Sequence, residues 1–174
     1  SQEDLRVLLE PMVAAQAEPI GSMGDDLALA VLSDKKPSLF SYFKQLFAQV
    51  TNPPIDPMRE KIVMSLSTGL GNQGNVLLEA PERTRQLKIS QPILSVEDME
   101  KVRHLDRTGF RSRTIDTTWP VEDGTAGMES AILRICSEAR TAVDEGATIV
   151  ILSHRAADHE RVAIPSLLAI AAVH

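Results

Sequence analysis

Met128, Ala131, Ile132, Ile135, Ala139, Ala142 and Val143 recur at helical spacing, and the nearly unbroken apolar run Ala147-Thr148-Ile149-Val150-Ile151-Leu152-Ser153 begins directly behind Gly146. An amphipathic helix stopped by glycine and followed by a strand apolar on both faces is the pattern of a parallel sheet. Thr114-Ile115-Asp116-Thr117-Thr118-Trp119 supplies a β-branched strand before the helix, and a second helix starts at Pro165. Strand, helix, strand, helix is a βαβα unit with a right-handed crossover. The expected fold class is therefore α/β, with a mostly parallel sheet, βαβ units and flanking helices.

The N-terminal part reads as mainly helical. Leu5, Leu8, Leu9, Met12 and Val13 form a stripe expected to be buried on one face. Pro11 either kinks that helix or opens a second one. Residues 18–26 carry a proline, two glycines and three acids, which is loop chemistry. Leu39, Phe40, Phe43, Leu46, Phe47 and Val50 give a second stripe, expected to anchor a core. It must stop before Asn52-Pro53-Pro54-Ile55-Asp56-Pro57, whose three prolines remove backbone donors. Asp56 and Pro57 can cap and open a helix with the stripe Met58, Ile62, Leu66 and Leu70, closed by residues 69–75. A short strand around Leu87 and Ile89 and a helix opened by Ser95, with Asp98 three residues on, complete the middle.

Composition narrows the function. With 174 residues and 43% hydrophobic content, the chain has the size of a single domain spanning 1–174. A balance of 24 acidic against 18 basic residues, net -6, repels phosphate backbones and anionic lipid, so neither nucleic acid nor membrane is expected as a partner. No apolar stretch reaches the length of a membrane-spanning helix, and no signal-peptide pattern is present. A single cysteine, Cys136, can neither form an internal disulfide nor hold an iron-sulfur cluster. A cytoplasmic location is expected. Both ends read as cut: the helical run 166–174 lacks a stop signal, and amphipathic residues begin by Leu5. A terminal helix packed in the core is the alternative.

Isolated motifs carry little chemistry. Gly69, Gly71 and Gly74 satisfy G-x-G-x-x-G, but the residues before them read as a helix instead of the strand that a dinucleotide fingerprint requires. His154, Asp158 and His159 follow the apolar strand, where loops of α/β folds meet ligands or neighbouring domains; surface residues are favoured over metal ligands. Cys136 reads as a buried inert thiol, Ser153 lacks the glycine-flanked turn of a nucleophile, and Asp25-Asp26 reads as a solvated turn. No catalytic, cofactor-binding or metal-binding residue is expected in the segment.

A more specific expectation comes from resemblance. The stretches Glu18-Pro19-Ile20-Gly21-Ser22-Met23-Gly24-Asp25-Asp26, Leu29-Ala30-Val31-Leu32-Ser33, YFKQLFAQVTNPPIDP over 42–57, Val63-Met64-Ser65-Leu66 and Ile164-Pro165-Ser166-Leu167-Leu168-Ala169 resemble the central domain of the glutamate synthase large subunit. The likeness extends over nearly the whole chain in the same order. One departure is Leu152-Ser153-His154-Arg155, where the family usually shows Leu-Ser-Asp-Arg.

The resemblance implies a connecting domain of an enzyme that makes two L-glutamate from L-glutamine and 2-oxoglutarate. It implies FMN and an iron-sulfur cluster elsewhere in the full-length enzyme, and the amidotransferase and FMN domains of the same chain as partners. The electron donor would be ferredoxin or a pyridine-nucleotide-oxidising small subunit, and the location cytoplasmic, or plastid in a photosynthetic eukaryote. Ammonia passes along the central domain in this family, so Thr51, Asn52, Pro53, Ile55 and Asp56 are candidates for a tunnel wall or interdomain surface. The alternative at these prolines is a plain connector between helices. Met23, Gly24, Asp25, Asp26, Ser153, His154 and Arg155 are candidates for domain-contact loops, and exposed ends could pair two copies. A stand-alone α/β interaction module derived from the family is the alternative function.

Overall fold

The computed structural model describes residues 4–17, 29–43, 54–72, 74–75, 77–78 and 85–174. They belong to two compact units, Ser1–Leu46 and Phe47–His174. In the first, a π-helical run, Asp4–Leu9, leads into α1, Glu10–Ala15, with Pro11 in its first turn and Gln16 ending it in the left-handed conformation at φ 51°. The proline thus opens a second helix, as its missing N–H allows. Two 3-10 turns, Ala30–Leu32 and Leu39–Phe43, touch each other. The helical expectation for this part holds among the described residues. The expected burial does not: Leu5, Leu8, Leu9, Met12 and Val13 are all exposed, as are Phe40 and Phe43. Their spacing records an apolar face, but spacing cannot say what covers it.

The second unit begins with α2, Pro57–Val63, capped by Asp56. The stripe predicted for this helix fails beyond it. Met58 and Ile62 face solvent, Leu66 lies past the helix end, and Leu70 belongs to β1, Thr68–Leu70, paired antiparallel with β2, Leu87–Ile89. A strand therefore does run into the Gly69, Gly71 and Gly74 motif, contrary to the helix expected there. The strand belongs to an antiparallel ribbon, and no described residue from Gly71 to Leu78 starts a helix. The described residues after β1 thus lack the strand-to-helix turn that would aim backbone N–H groups at a phosphate.

Ser95 caps α3, Val96–Arg103, through a 3.1 Å bond from Asp98 N, as expected. The Lys101 ammonium, bonded to Asp98 at 2.8 Å, and the Ser95 hydroxyl hold the Asp98 carboxyl below its usual pKa. The two-residue β3, Asp106–Arg107, turns into β4, Phe110–Asp116. The strand predicted over 114–119 is interrupted at Thr117, and β5 covers Thr118–Pro120. Helix α4, Gly124–Asp144, carries the predicted stripe as far as Ala142, with Val143 exposed, and Gly146 follows it at φ 90°. Then come β6, Ile149–Ser153, β7, Arg161–Ala163, and α5, Ser166–Val173.

The β4-α4-β6 unit is parallel, in register from Ser112 opposite Ile149 to Asp116 opposite Ser153. The other pairings among the described residues, β1 with β2, β3 with β4 and β5 with β7, are antiparallel. The architecture is mixed helix and strand with small sheets, and the expected mostly parallel sheet is not observed. The reason is local. The chain bends at Thr117 and returns after β6, so β5 and β7 form their own ribbon.

The core lies between the parallel pair and its helices. Ile115, Ala131, Ile135, Ala139, Ile164 and Ala169 are buried together, with Trp119, Met128, Ile132, Cys136, Val150, Leu152, Leu168 and Val173 packed around them. Alanines on α4 let the helix approach the strands closely. Gly127 does the same beside Trp119, whose indole a side chain there would strike. Trp119 Nε1 donates to Gly124 O at 3.0 Å and ties the start of α4 to β5.

Candidate functional site: the carboxyl edge of the parallel strands

Strands β4 and β6 end together, and the break at Thr117 leaves irregular backbone that must still be hydrogen-bonded. Thr117 is buried; its N–H and hydroxyl both donate to Ser153 O, at 2.9 and 3.1 Å, and its carbonyl accepts from Ile164 N at 2.9 Å. Asp116 receives Thr118 N at 2.9 Å, the Thr118 hydroxyl at 2.8 Å and Arg161 Nη2 at 3.0 Å. Arg161 Nε donates to Thr118 Oγ1 at 2.7 Å. From α4, Arg134 Nη2 donates to the carbonyls of Asp116 and Thr118, both at 3.0 Å, while Nη1 holds Glu138 at 2.9 Å. The two guanidiniums thus lock β4, β5, β7 and α4 at one point. Planar forks suit this task, since each serves several acceptors from one rigid group.

The β6–β7 connection hangs from this lock. Asp158 Oδ1 accepts from Glu160 N at 2.8 Å and Arg161 N at 2.9 Å. Ala157 N donates to His154 O at 3.0 Å, and Glu160 O accepts from Val121 N at 2.8 Å. The backbone is tied at both ends, whereas residues 154–160 are all exposed. A loop whose backbone is held while its surface stays exposed is suited to meeting a protein surface.

The structure brings Ser153, His154 and Arg155 to this edge, with Ser153 half-buried and the other two exposed. Asp158 is engaged by backbone N–H groups, and His159 Nε2 lies 3.5 Å from Glu160 Oε1. Among the described residues, no cluster of His, Cys, Asp and Glu could hold a metal ion. Ile55 is half-buried, and Asp56 caps α2 by accepting from Met58 N at 3.0 Å and Arg59 N at 2.9 Å. Asp56 shares no hydrogen bond or ion pair with the edge residues. Thr51, Asn52, Pro53, Met23, Gly24, Asp25 and Asp26 lie outside the described residues.

Asp116, Thr118, Arg134 and Arg161 are not singled out by the sequence reading. Their signal is present as Asp116-Thr117-Thr118, a carboxylate followed two positions later by a hydroxyl at a strand end. The partner Arg161 lies 45 residues away. The cap at Asp56 yields a direct test: Asp56→Ala should destabilise α2 by about 1 kcal/mol, seen as faster amide exchange confined to α2. Unchanged exchange there would deny the cap any weight.

The sequence pattern of the family described as "Glutamate synthase central domain" matches residues 1–174. The chain belongs to the glutamate synthase central domain family. This central domain is 46% identical over 174 residues to "Glutamate synthase [NADH]" of Schizosaccharomyces pombe, covering 99% of the chain and 8% of that relative. It is 47% identical to "Glutamate synthase [NADPH] large chain" of Azospirillum brasilense, covering 100% of the chain and 11% of the relative. "Ferredoxin-dependent glutamate synthase, chloroplastic" of Oryza sativa subsp. japonica is 42% identical over 177 residues, with 100% and 11% covered. The central domain thus spans about a tenth of the length of these relatives. No helix among its described residues is long and apolar enough to cross a membrane.

Proposed function

We propose that this chain is the connecting domain of a full-length glutamate synthase, which forms two L-glutamate from L-glutamine and 2-oxoglutarate. It acts as one domain, serving as scaffold, ammonia-tunnel wall and mechanical coupling. The observation that supports this reading is the family match over the whole chain, combined with relatives of which it spans only 8% and 11%. Its partners are the amidotransferase and FMN domains of the same polypeptide. The electron donor is ferredoxin or a pyridine-nucleotide-oxidising small subunit, in the cytoplasm or a plastid.

FMN and the iron-sulfur cluster belong to that larger polypeptide. This chain's residues do not fit them: Cys136 is its one thiol and donates to Ala172 O at 3.2 Å, and its glycine motif follows an antiparallel strand. What the chain contributes is positioning. Thr51, Asn52, Pro53, Ile55 and Asp56 line or border the ammonia path, where amide and hydroxyl groups can exchange hydrogen bonds with a small polar guest. The loop from Ser153 through His154 and Arg155, with Met23, Gly24, Asp25 and Asp26, meets the neighbouring domains. Ile170, 56% exposed on α5, and Leu5, 58% exposed, are apolar surface for such contacts or for a second copy.

The 174-residue polypeptide, purified alone, is expected to be colourless and to leave glutamine intact. A flavin absorption band, or glutamine turnover above background, would refute the connecting-domain reading. Coding sequence lacking flanking amidotransferase and flavin domains would favour a stand-alone module instead.

A further inference from the structure

We propose that the open edge of β6 receives a further parallel strand, supplied by the segment that follows α5 in the longer polypeptide. The proposal rests on reading the chain as part of that polypeptide. The two edges of the sheet β3-β4-β6 are unlike. At one, β3 is only two residues, Asp106 and Arg107, both charged and exposed, as a short edge in water should be. At the other, β6 reads Ile149-Val150-Ile151-Leu152-Ser153, with no charge, no proline and an unbroken register against β4. None of the usual devices that protect an exposed edge from pairing is present.

The backbone points the same way. Ser153 O accepts from Thr117 N, and strand peptide groups alternate in direction. Ile149, Ile151 and Ser153 therefore face β4, while Val150 and Leu152 direct their N–H and C=O groups to the open edge. Among the described residues nothing pairs with them there. The side chains of Val150 and Leu152 pack against the core, so these polar groups sit beside apolar surface, where pairing gains most.

Topology selects the occupant. Helices α4 and α5 share one core cluster, through Ala131, Ile135 and Ala139 on one and Leu168, Ala169 and Val173 on the other. They therefore cover the same face of the sheet. A right-handed crossover through α4 leads from β4 to β6. A second right-handed crossover on that face continues in the same direction, which sets the next strand beyond β6.

Residue-resolved amide exchange on the full-length polypeptide tests this. Val150 and Leu152 should exchange within about tenfold of Ile151, independent of protein concentration. Exchange at Val150 and Leu152 more than about tenfold faster than at Ile151 means an open edge and overturns the proposal. Protection that rises with protein concentration assigns the edge to a second copy and overturns it too. A coding sequence that stops at His174 would remove the underlying reading before any exchange is measured.

Discussion

Ile135→Ala should lower the unfolding free energy by about 2–5 kcal/mol, the range for truncating a buried aliphatic side chain in a core that collapses only partly around the cavity. Ile135 is 0% exposed and sits among Ile115, Ile164, Ala131, Ala139 and Ala169. Three of those neighbours are alanines, whose short side chains cannot swing into the vacated space. Leu133 lies two positions away on the same helix but is 68% exposed. Leu133→Ala should stay within about 0.5 kcal/mol of the parent. Denaturant unfolding of both variants decides the matter, and equal destabilisation would mean that α4 does not pack through the Ile135 face.

The second large effect is expected from the lock at the strand ends. Arg161→Ala removes the donor to the Asp116 carboxylate, the Thr118 hydroxyl and the Thr118 carbonyl together. Side chains 37% and 42% exposed remain partly hydrated, which reduces the effect of losing the ion pair. The buried Thr118, 1% exposed, cannot replace its partner with water as readily. The expected loss is about 1–3 kcal/mol, with faster amide exchange through residues 154–160. Arg161→Lys keeps the charge without the fork and should fall between. An Arg161→Ala variant no less stable than Arg155→Ala, an exposed neighbour, would show that the lock does not hold the loop.

Legibility from sequence depends on the source of each signal. Helix α4, strand β6 and helix α5 are readable because their apolar residues face a core built from the same stretch of chain. Ser95 and Asp56 are readable as caps because capping is local. The stripes at Leu5, Phe40 and Met58 read as core, yet they are exposed: periodicity marks an apolar face without identifying its cover. Strand β1 escapes a sequence reading because three residues, Thr68–Leu70, continue the four-residue spacing of the helix before them. The antiparallel β5–β7 ribbon escapes it because Thr118 pairs with Ala163, far along the chain, in a register that no local pattern encodes. Arg134 and Arg161 are hidden for the same reason, since each answers backbone carbonyls created by the bend at Thr117. Within the candidate site, the position of Ser153, His154 and Arg155 after a strand end is legible, and the network that holds them is not.

The proposed passage of ammonia along this domain, between two chemical sites, can be read from the glutamate formed per glutamine hydrolysed in the full-length enzyme. Asn52→Leu substitutes an apolar branch for an amide on the proposed wall. Taking a polar partner away from the proposed ammonia path is expected to cost about 1–3 kcal/mol, enough to slow passage. At a temperature where variant and parent are equally folded, the ratio should fall from about two toward one, with free ammonia released into solution, because hydrolysis continues while transfer fails. A ratio unchanged from the parent would remove Asn52 from any tunnel, leaving 51–57 as a connector between helices.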